Sequence, residues 1–147
     1  EMRLVPQGEK CVLCGLCARV CTELVGAKAL TMEGRGTETY FQPPFGEPAK
    51  DCVGCGSCAF VCPVSCIEYK KTDKTIEIWG RTFERLACTE CGEPLDLTPE
   101  HRDLIRRRTE LLTPQEMQLC GSCERRTTMK TMQRVVEGQQ ALETARR

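Results

Sequence analysis

Twelve of the thirteen cysteines in this chain fall into runs or pairs built on C-x2-C, and that pattern leaves few ways to fold. Cys11, Cys14, Cys17 and Cys21 form one C-x2-C-x2-C-x3-C run, and Cys52, Cys55, Cys58 and Cys62 form a second. Cys88 and Cys91 make a C-x2-C pair, as do Cys120 and Cys123. A disulfide framework has no need of repeated two-residue spacers, whereas a metal centre needs several thiolates converging from one tight loop. Metal-bound thiolates require reduced cysteines, so a cytoplasmic location is expected.

Aromatic residues make up only 5% of the 147 positions. A small unit with so few large apolar side chains buries too little surface to be stable alone, and inorganic cores replace what is missing. Ligand binding is then also folding free energy. Lys plus Arg (21) balance Asp plus Glu (21), so bulk charge points to neither nucleic acid nor an anionic membrane. No stretch of about 18 apolar residues is present to span a bilayer. The chain begins at Glu1 rather than methionine, so a processed or partly ordered chain is expected.

The two early runs are near-copies: Cys11-Val-Leu-Cys14-Gly-Leu-Cys17-Ala-Arg-Val-Cys21 and Cys52-Val-Gly-Cys55-Gly-Ser-Cys58-Ala-Phe-Val-Cys62. Such repetition indicates a pseudo-twofold unit built by duplication. Each has the spacing of the bacterial run that holds a 4Fe-4S cluster, and the second continues into Pro63 where the first has Thr22. Iron in a cubane is soft and takes thiolate sulfur. Three closely spaced cysteines wrap one loop around three corners, and Gly15 or Gly56 lets the backbone approach. Where two such runs share a unit, the fourth cysteine of each ligates the other cluster. The expected ligands are Cys11, Cys14, Cys17 and Cys62 for the first cluster and Cys52, Cys55, Cys58 and Cys21 for the second. Zinc sites use pairs of knuckles rather than runs of four, which argues against zinc at these positions. Cys66, four residues past Cys62, is expected to be a buried free thiol acting as a small hydrophobe, with a ligand or redox role as the alternative.

Residues 9–70 resemble the two-cluster ferredoxin-type domain found in many redox complexes. The variety most similar is the iron–sulfur relay region of the large iron–sulfur subunit of complex I, with its relatives in NAD-linked hydrogenases and formate dehydrogenases. The stretch that carries this is Gly34-Arg-Gly-Thr-Glu-Thr-Tyr-Phe-Gln-Pro-Pro-Phe45, placed between the two runs. The resemblance implies electron relay between a flavin-containing subunit and a catalytic metal centre. The chain departs from that family in having no plant-type C-x4-C-x2-C run and no His-Cys segment before Cys11, and no pterin or hydrogen-activating domain after the runs.

Cys88, Cys91, Cys120 and Cys123 read as two knuckles that converge on one tetrahedral thiolate site, which suits a structural Zn2+. A third 4Fe-4S cluster is the alternative, because four cysteines satisfy that too. Arg102 and Arg106-Arg107-Arg108 are interleaved with Glu100, Asp103 and Glu110 and lack stacking aromatics, so a solvated or partner-facing helix side is expected rather than nucleic-acid binding. His101, the one histidine, is expected at an ordinary surface position. No P-loop, dinucleotide fingerprint or nucleophile–histidine pattern appears, so no catalytic residue is assigned.

Alternation around Gly34-Arg35-Gly36 predicts a hairpin from residues 29–33 and 37–41, and residues 65–69 and 75–79 predict another. Thr98 is the expected N-cap of a helix with Pro99 at its first position, running to about Leu112. Thr113-Pro114-Gln115-Glu116 predicts a second capped helix. Met129, Met132, Val135 and Val136 fall at helical spacing in the tail, where packing is the expected use and docking the alternative. The expected fold class is α+β. A ferredoxin-like two-cluster unit spans residues 1–80, a zinc-ribbon-like four-cysteine unit spans 81–126, and a helical tail spans 127–147. The expected function is an electron-transfer subunit of a larger oxidoreductase, with flavin- or metal-containing partners. A free diffusing ferredoxin and a nucleic-acid-binding iron–sulfur regulator are the alternatives.

Overall fold

The computed structural model describes residues 10–109 and 116–145. Each cysteine run turns on a left-handed glycine and then makes one helical turn. Gly15 (φ 73) precedes α1, Leu16–Arg19, and Gly56 (φ 69) precedes α2, Ser57–Phe60. α1 passes directly into a π-helical stretch, Val20–Val25, which Gly26 closes in the left-handed region. α1 and α2 pack against one another, which brings the two runs side by side.

Both predicted hairpins are present. β1 (Thr31–Glu33) pairs antiparallel with β2 (Tyr40–Gln42), with a 3-10 turn at Gly36–Glu38 between them, so the second strand starts later than expected. β3 (Tyr69–Lys71) pairs with β4 (Thr75–Ile78); β3 starts four residues later than predicted, overlapping the expected strand only at Tyr69. A third strand, β5 (Arg81–Glu84), has no counterpart in the sequence reading; it pairs with β4 and places Phe83 opposite Ile76. Burial alternates along this meander, with Ile76, Ile78 and Phe83 inside, because successive strand residues face opposite sides.

The main core gathers Val20, Ala29, Leu30, Ala49, Ile67, Ile76, Ile78, Trp79 and Phe83 around Cys58. Side chains of polar residues tie the second run to this sheet. One guanidinium nitrogen of Arg81 donates to the carbonyls of Ala49, Lys50 and Cys52 at 2.7–2.9 Å, while the same guanidinium lies 4.6 Å over the Phe83 ring. Beyond β5, the Leu86 amide donates to Leu97, the Leu95 amide to Leu86 and the Cys88 amide to Glu93, forming a narrow ribbon around Cys91. Arg85 staples the ribbon to the β3–β4 turn, donating to Leu95, Thr72 and Pro94 carbonyls and to Asp96.

α3 spans Pro99–Arg108, and Thr98 caps it as predicted, accepting from His101 N–H at 3.1 Å. Thr98 is fully buried because its hydroxyl also donates to Val53 O, inside the second cysteine run. The helix stops at Arg108 rather than near Leu112: Thr109 is extended, and Arg108 turns away to donate to the carbonyls of Leu24 and Val25. The predicted helix start at Thr113 lies outside the described residues except for a 3-10 turn at Glu116–Gln118. α4, Gly121–Ala145, begins at the last cysteine pair and carries the tail. The apolar stripe on it does not pack: Met129, Met132, Val135 and Val136 are 51–70% exposed. No other described element lies against that face.

Gly54 lies close against the core. Its φ is 69, and a Cβ there would lie 2.7 Å from the Phe83 ring and 3.1 Å from Thr98 Cγ2. At Gly36 (φ 58) a Cβ would meet nothing. Both substitutions to alanine carry left-handed strain, but only the first adds a clash with the core. We expect Gly54→Ala to cost roughly 2–4 kcal/mol and Gly36→Ala about 1–2 kcal/mol in urea unfolding of the metal-loaded protein.

Candidate metal centres

The short helices place the cysteine sulfurs. Four residues of helix advance about 6 Å, so Cys17 in α1 and Cys21 in the following π-helical turn lie at opposite ends of one helical step. Two cavities result. One is lined by Cys11, Cys14, Cys17 and Cys62, with Cys66 beside them. The other is lined by Cys21, Cys52, Cys55 and Cys58. Each cavity therefore brings together three cysteines of one run and the last cysteine of the other. The remaining lining is almost wholly apolar: Val12, Phe41, Val64 and Ile67 in the first, and Val25, Ala29, Leu30, Val53, Ile78 and Trp79 in the second. Four soft donors in an apolar shell fit an iron–sulfur cubane.

The two cavities differ in exposure. Cys14 is exposed, and Val12, Leu13 and Leu16 around it are 60%, 45% and 41% exposed. Cys58 is buried, beneath Trp79 and β4. Burial pushes the Cys58 thiol up to about 12, partly opposed by the hydrogen bond from Trp79, and pushes Cys52 and Cys17 to about 11. Hydrogen bonds to sulfur come from Ala29 N–H to Cys21 at 3.3 Å, Gly54 N–H to Cys52 at 3.5 Å, and Trp79 Nε1–H to Cys58 at 3.3 Å.

In the first cavity Cys66 N–H donates to Cys62 Sγ at 3.4 Å, and the Cys66 thiol lies 3.4 Å from the same sulfur. Against the upward push of burial, the N–H groups of Cys66, Val64 and Ile67 draw the Cys62 thiol down. Cys66 is half-buried rather than fully inside, and burial with the neighbouring Cys62 pushes its thiol to about 12. It thus packs at the rim of the cavity as a protonated neighbour.

Cys88, Cys91, Cys120 and Cys123 converge separately, with all four sulfurs within 4.8 Å of one another. Among the described residues this is the group of metal-ligating side chains gathered tightly enough to share one ion. Cys91 Sγ is 3.6 Å from Cys120 Sγ, and Arg126 donates to Cys123 Sγ at 2.9 Å. Cys120 N–H donates to Cys88 Sγ, which with the amide of Cys91 brings that thiol down to about 6. Leu95 and Leu119 pack against the buried sulfurs.

Comparison with known proteins agrees with this architecture. Residues 10–66 match the model of the 4Fe-4S dicluster domain. An NADH-quinone oxidoreductase subunit from Rhizobium meliloti is 33% identical over 89 residues, 60% of this chain and 10% of that protein. The alpha subunit of the NADPH-Fe(3+) oxidoreductase from Geobacter sulfurreducens is 30% identical over 83 residues, 56% of this chain and again 10% of that protein. The chain thus spans about a tenth of the length of these two relatives. Ferredoxin-3 of Rhodobacter capsulatus is 32% identical over 71 residues, covering 40% of this chain and 70% of that protein. No described helix is long and apolar enough to cross a membrane.

His101 departs from its expected surface placement. It is half-buried on α3 beside Val20, Leu24, Val25 and Ser57, and its Nδ1 is enclosed without a hydrogen-bond partner. Burial lowers its pKa from the ordinary 6.5. A histidine lowered on folding contributes stability above the unfolded value and loses it as pH falls through the folded one. Acidification below about pH 6.5 is therefore expected to weaken the wild-type fold more than His101→Leu, compared by urea midpoints across that range at constant metal content.

Proposed function

As this chain belongs to the family of 4Fe-4S dicluster ferredoxin-type proteins, we propose that it is the electron-relay segment of a larger oxidoreductase. In this reading Cys11, Cys14, Cys17 and Cys62 hold one 4Fe-4S cluster, and Cys52, Cys55, Cys58 and Cys21 hold the other. The observation that carries it is the lining of the two cavities, each drawing its fourth sulfur from the opposite run. Bound there, the clusters supply reversible one-electron chemistry. The protein's own part is to hold the clusters in adjacent cavities, surround them with apolar walls, and donate N–H groups to the sulfurs.

The exposure difference gives the relay two ends. The loop carrying Val12, Leu13, Cys14 and Leu16 is open to a docked partner, whereas the second cavity lies under the sheet. The proposed partners are a flavin- or ferredoxin-type electron carrier and a catalytic metal subunit, in the reducing cytoplasm where thiolate ligands persist. The match to subunits of two oxidoreductases supports this reading over a free carrier, although the coverage of Ferredoxin-3 favours the free carrier as the second reading.

At the third thiol group we propose a structural zinc in a zinc-ribbon-like unit. Tetrahedral Zn–S bonds of about 2.3 Å set sulfurs roughly 3.8 Å apart, and the Cys91–Cys120 separation of 3.6 Å is close to that. A cubane sets its thiolates on a larger tetrahedron, so the close spacing of these sulfurs supports zinc. Arg126 offsets part of the excess negative charge of four thiolates on one divalent ion.

Anaerobic purification followed by metal analysis tests both assignments. About eight irons, eight sulfides and one zinc per chain are expected. About twelve irons without zinc would replace the zinc by a third cluster, and about four irons would overturn the two-cluster relay. Co-elution with a larger subunit supports the relay segment, while a monodisperse small carrier supports the second reading.

A further inference from the structure

Trp79 is the one tryptophan of the chain, and it occupies a position that its turn does not favour. It connects β4 to β5 with φ 53, followed by Gly80 with φ 71. Two consecutive left-handed residues make a tight hairpin turn that selects Asn or Gly, and a bulky side chain there is strained. The indole is nevertheless only 6% exposed and lines the second cavity beside Cys21, Cys52, Cys55 and Cys58. Its Nε1–H, a donor with no acceptor capacity of its own, is directed to Cys58 Sγ at 3.3 Å within the core. The strain is held in place by burial and by that bond.

Among the described residues the first cavity has no side-chain N–H donor aimed at a sulfur. There the aromatic ring facing the run is Phe41, set against Gly15, and phenylalanine has no N–H to offer. The duplicated halves therefore differ beyond exposure in their side-chain donors: an indole N–H is aimed at Cys58 in the buried cavity, whereas the first cavity has the weak thiol donor of Cys66 beside Cys62. Adding an electron to a cluster increases the negative charge on its thiolates, so an N–H dipole pointing at sulfur stabilises the reduced form more than the oxidised form. Burial acts in the opposite sense, because it disfavours the more highly charged reduced form.

Resting on the two-cluster reading above, we propose that Trp79 is a tuning residue: its indole N–H raises the reduction potential of the cluster held by Cys21, Cys52, Cys55 and Cys58. The bond offsets the desolvation of the buried cavity and keeps the second cluster within electron reach of the exposed first one. Loss of the bond strands electrons at the exposed end.

Trp79→Phe keeps an aromatic ring in the core and deletes the donor. In an EPR-monitored redox titration one midpoint is expected to fall while the other stays, an about fivefold drop in occupancy of the second cluster at fixed ambient potential. Full iron content with both midpoints unchanged overturns the proposal. Should the variant lose its clusters, wild-type protein labelled with 15N at the tryptophan indole gives an independent reading. Pulsed EPR of the reduced protein is expected to show hyperfine coupling of that nitrogen to a cluster spin, and its absence overturns the proposal. Iron counted on the same wild-type sample separates this from failure of the underlying reading, which would appear as fewer than about eight irons.

Discussion

A thiolate run that supplies three corners of a cubane and then a fourth sulfur elsewhere forces its backbone to curl and immediately cross. Cys11, Cys14 and Cys17 face one cavity while Cys21 faces the other, and Cys52, Cys55 and Cys58 are separated from Cys62 in the same way. This exchange makes each half incomplete without its copy. It explains why α1 and α2 lie together and why elements of only three to four residues suffice around them. Short strands and single helical turns bury little apolar area, so sulfur–metal bonds carry the share of stability that a larger hydrophobic core otherwise supplies.

What the metal does not hold, polar anchors do. Arg81 collects the carbonyls of the loop entering the second run, Thr98 binds Val53 while capping α3, and Arg85 fastens the C-terminal ribbon to the sheet. Arg81 and Thr98 hold the second cysteine run and its flank, while Arg108 binds the carbonyls of Leu24 and Val25 just after the first. The loop of the first run that carries Val12, Leu13, Cys14 and Leu16 stays open, and the indole donor of Trp79 sits in the other cavity.

The cysteine positions were legible in the sequence because ligand spacing is a local property: three donors two residues apart dictate a loop whatever surrounds it. The hairpins and the Thr98 cap were legible for the same reason. β5 was not, because Arg-Thr-Phe-Glu shows one apolar residue and its strand character comes from pairing with Ile76 and capturing Arg81 at its start. The end of α3 was hidden because Arg108 is drawn to carbonyls more than eighty residues earlier in the chain. His101 and Trp79 belong to this second class, since burial of the one and the sulfur partner of the other depend on distant elements. The exposed stripe on α4 reads as core from spacing and differs only because no described element covers it.

Magnetic coupling between two clusters tests the central claim most directly. With both clusters one-electron reduced, the proposed ligand exchange across α1 and α2 puts their spins in neighbouring cavities. The account predicts a broadened, fast-relaxing EPR spectrum of interacting spins at full reduction, sharpening to a simple single-cluster signal at half reduction. A spectrum that at full reduction remains the plain sum of isolated signals would contradict crossed ligation in adjacent cavities.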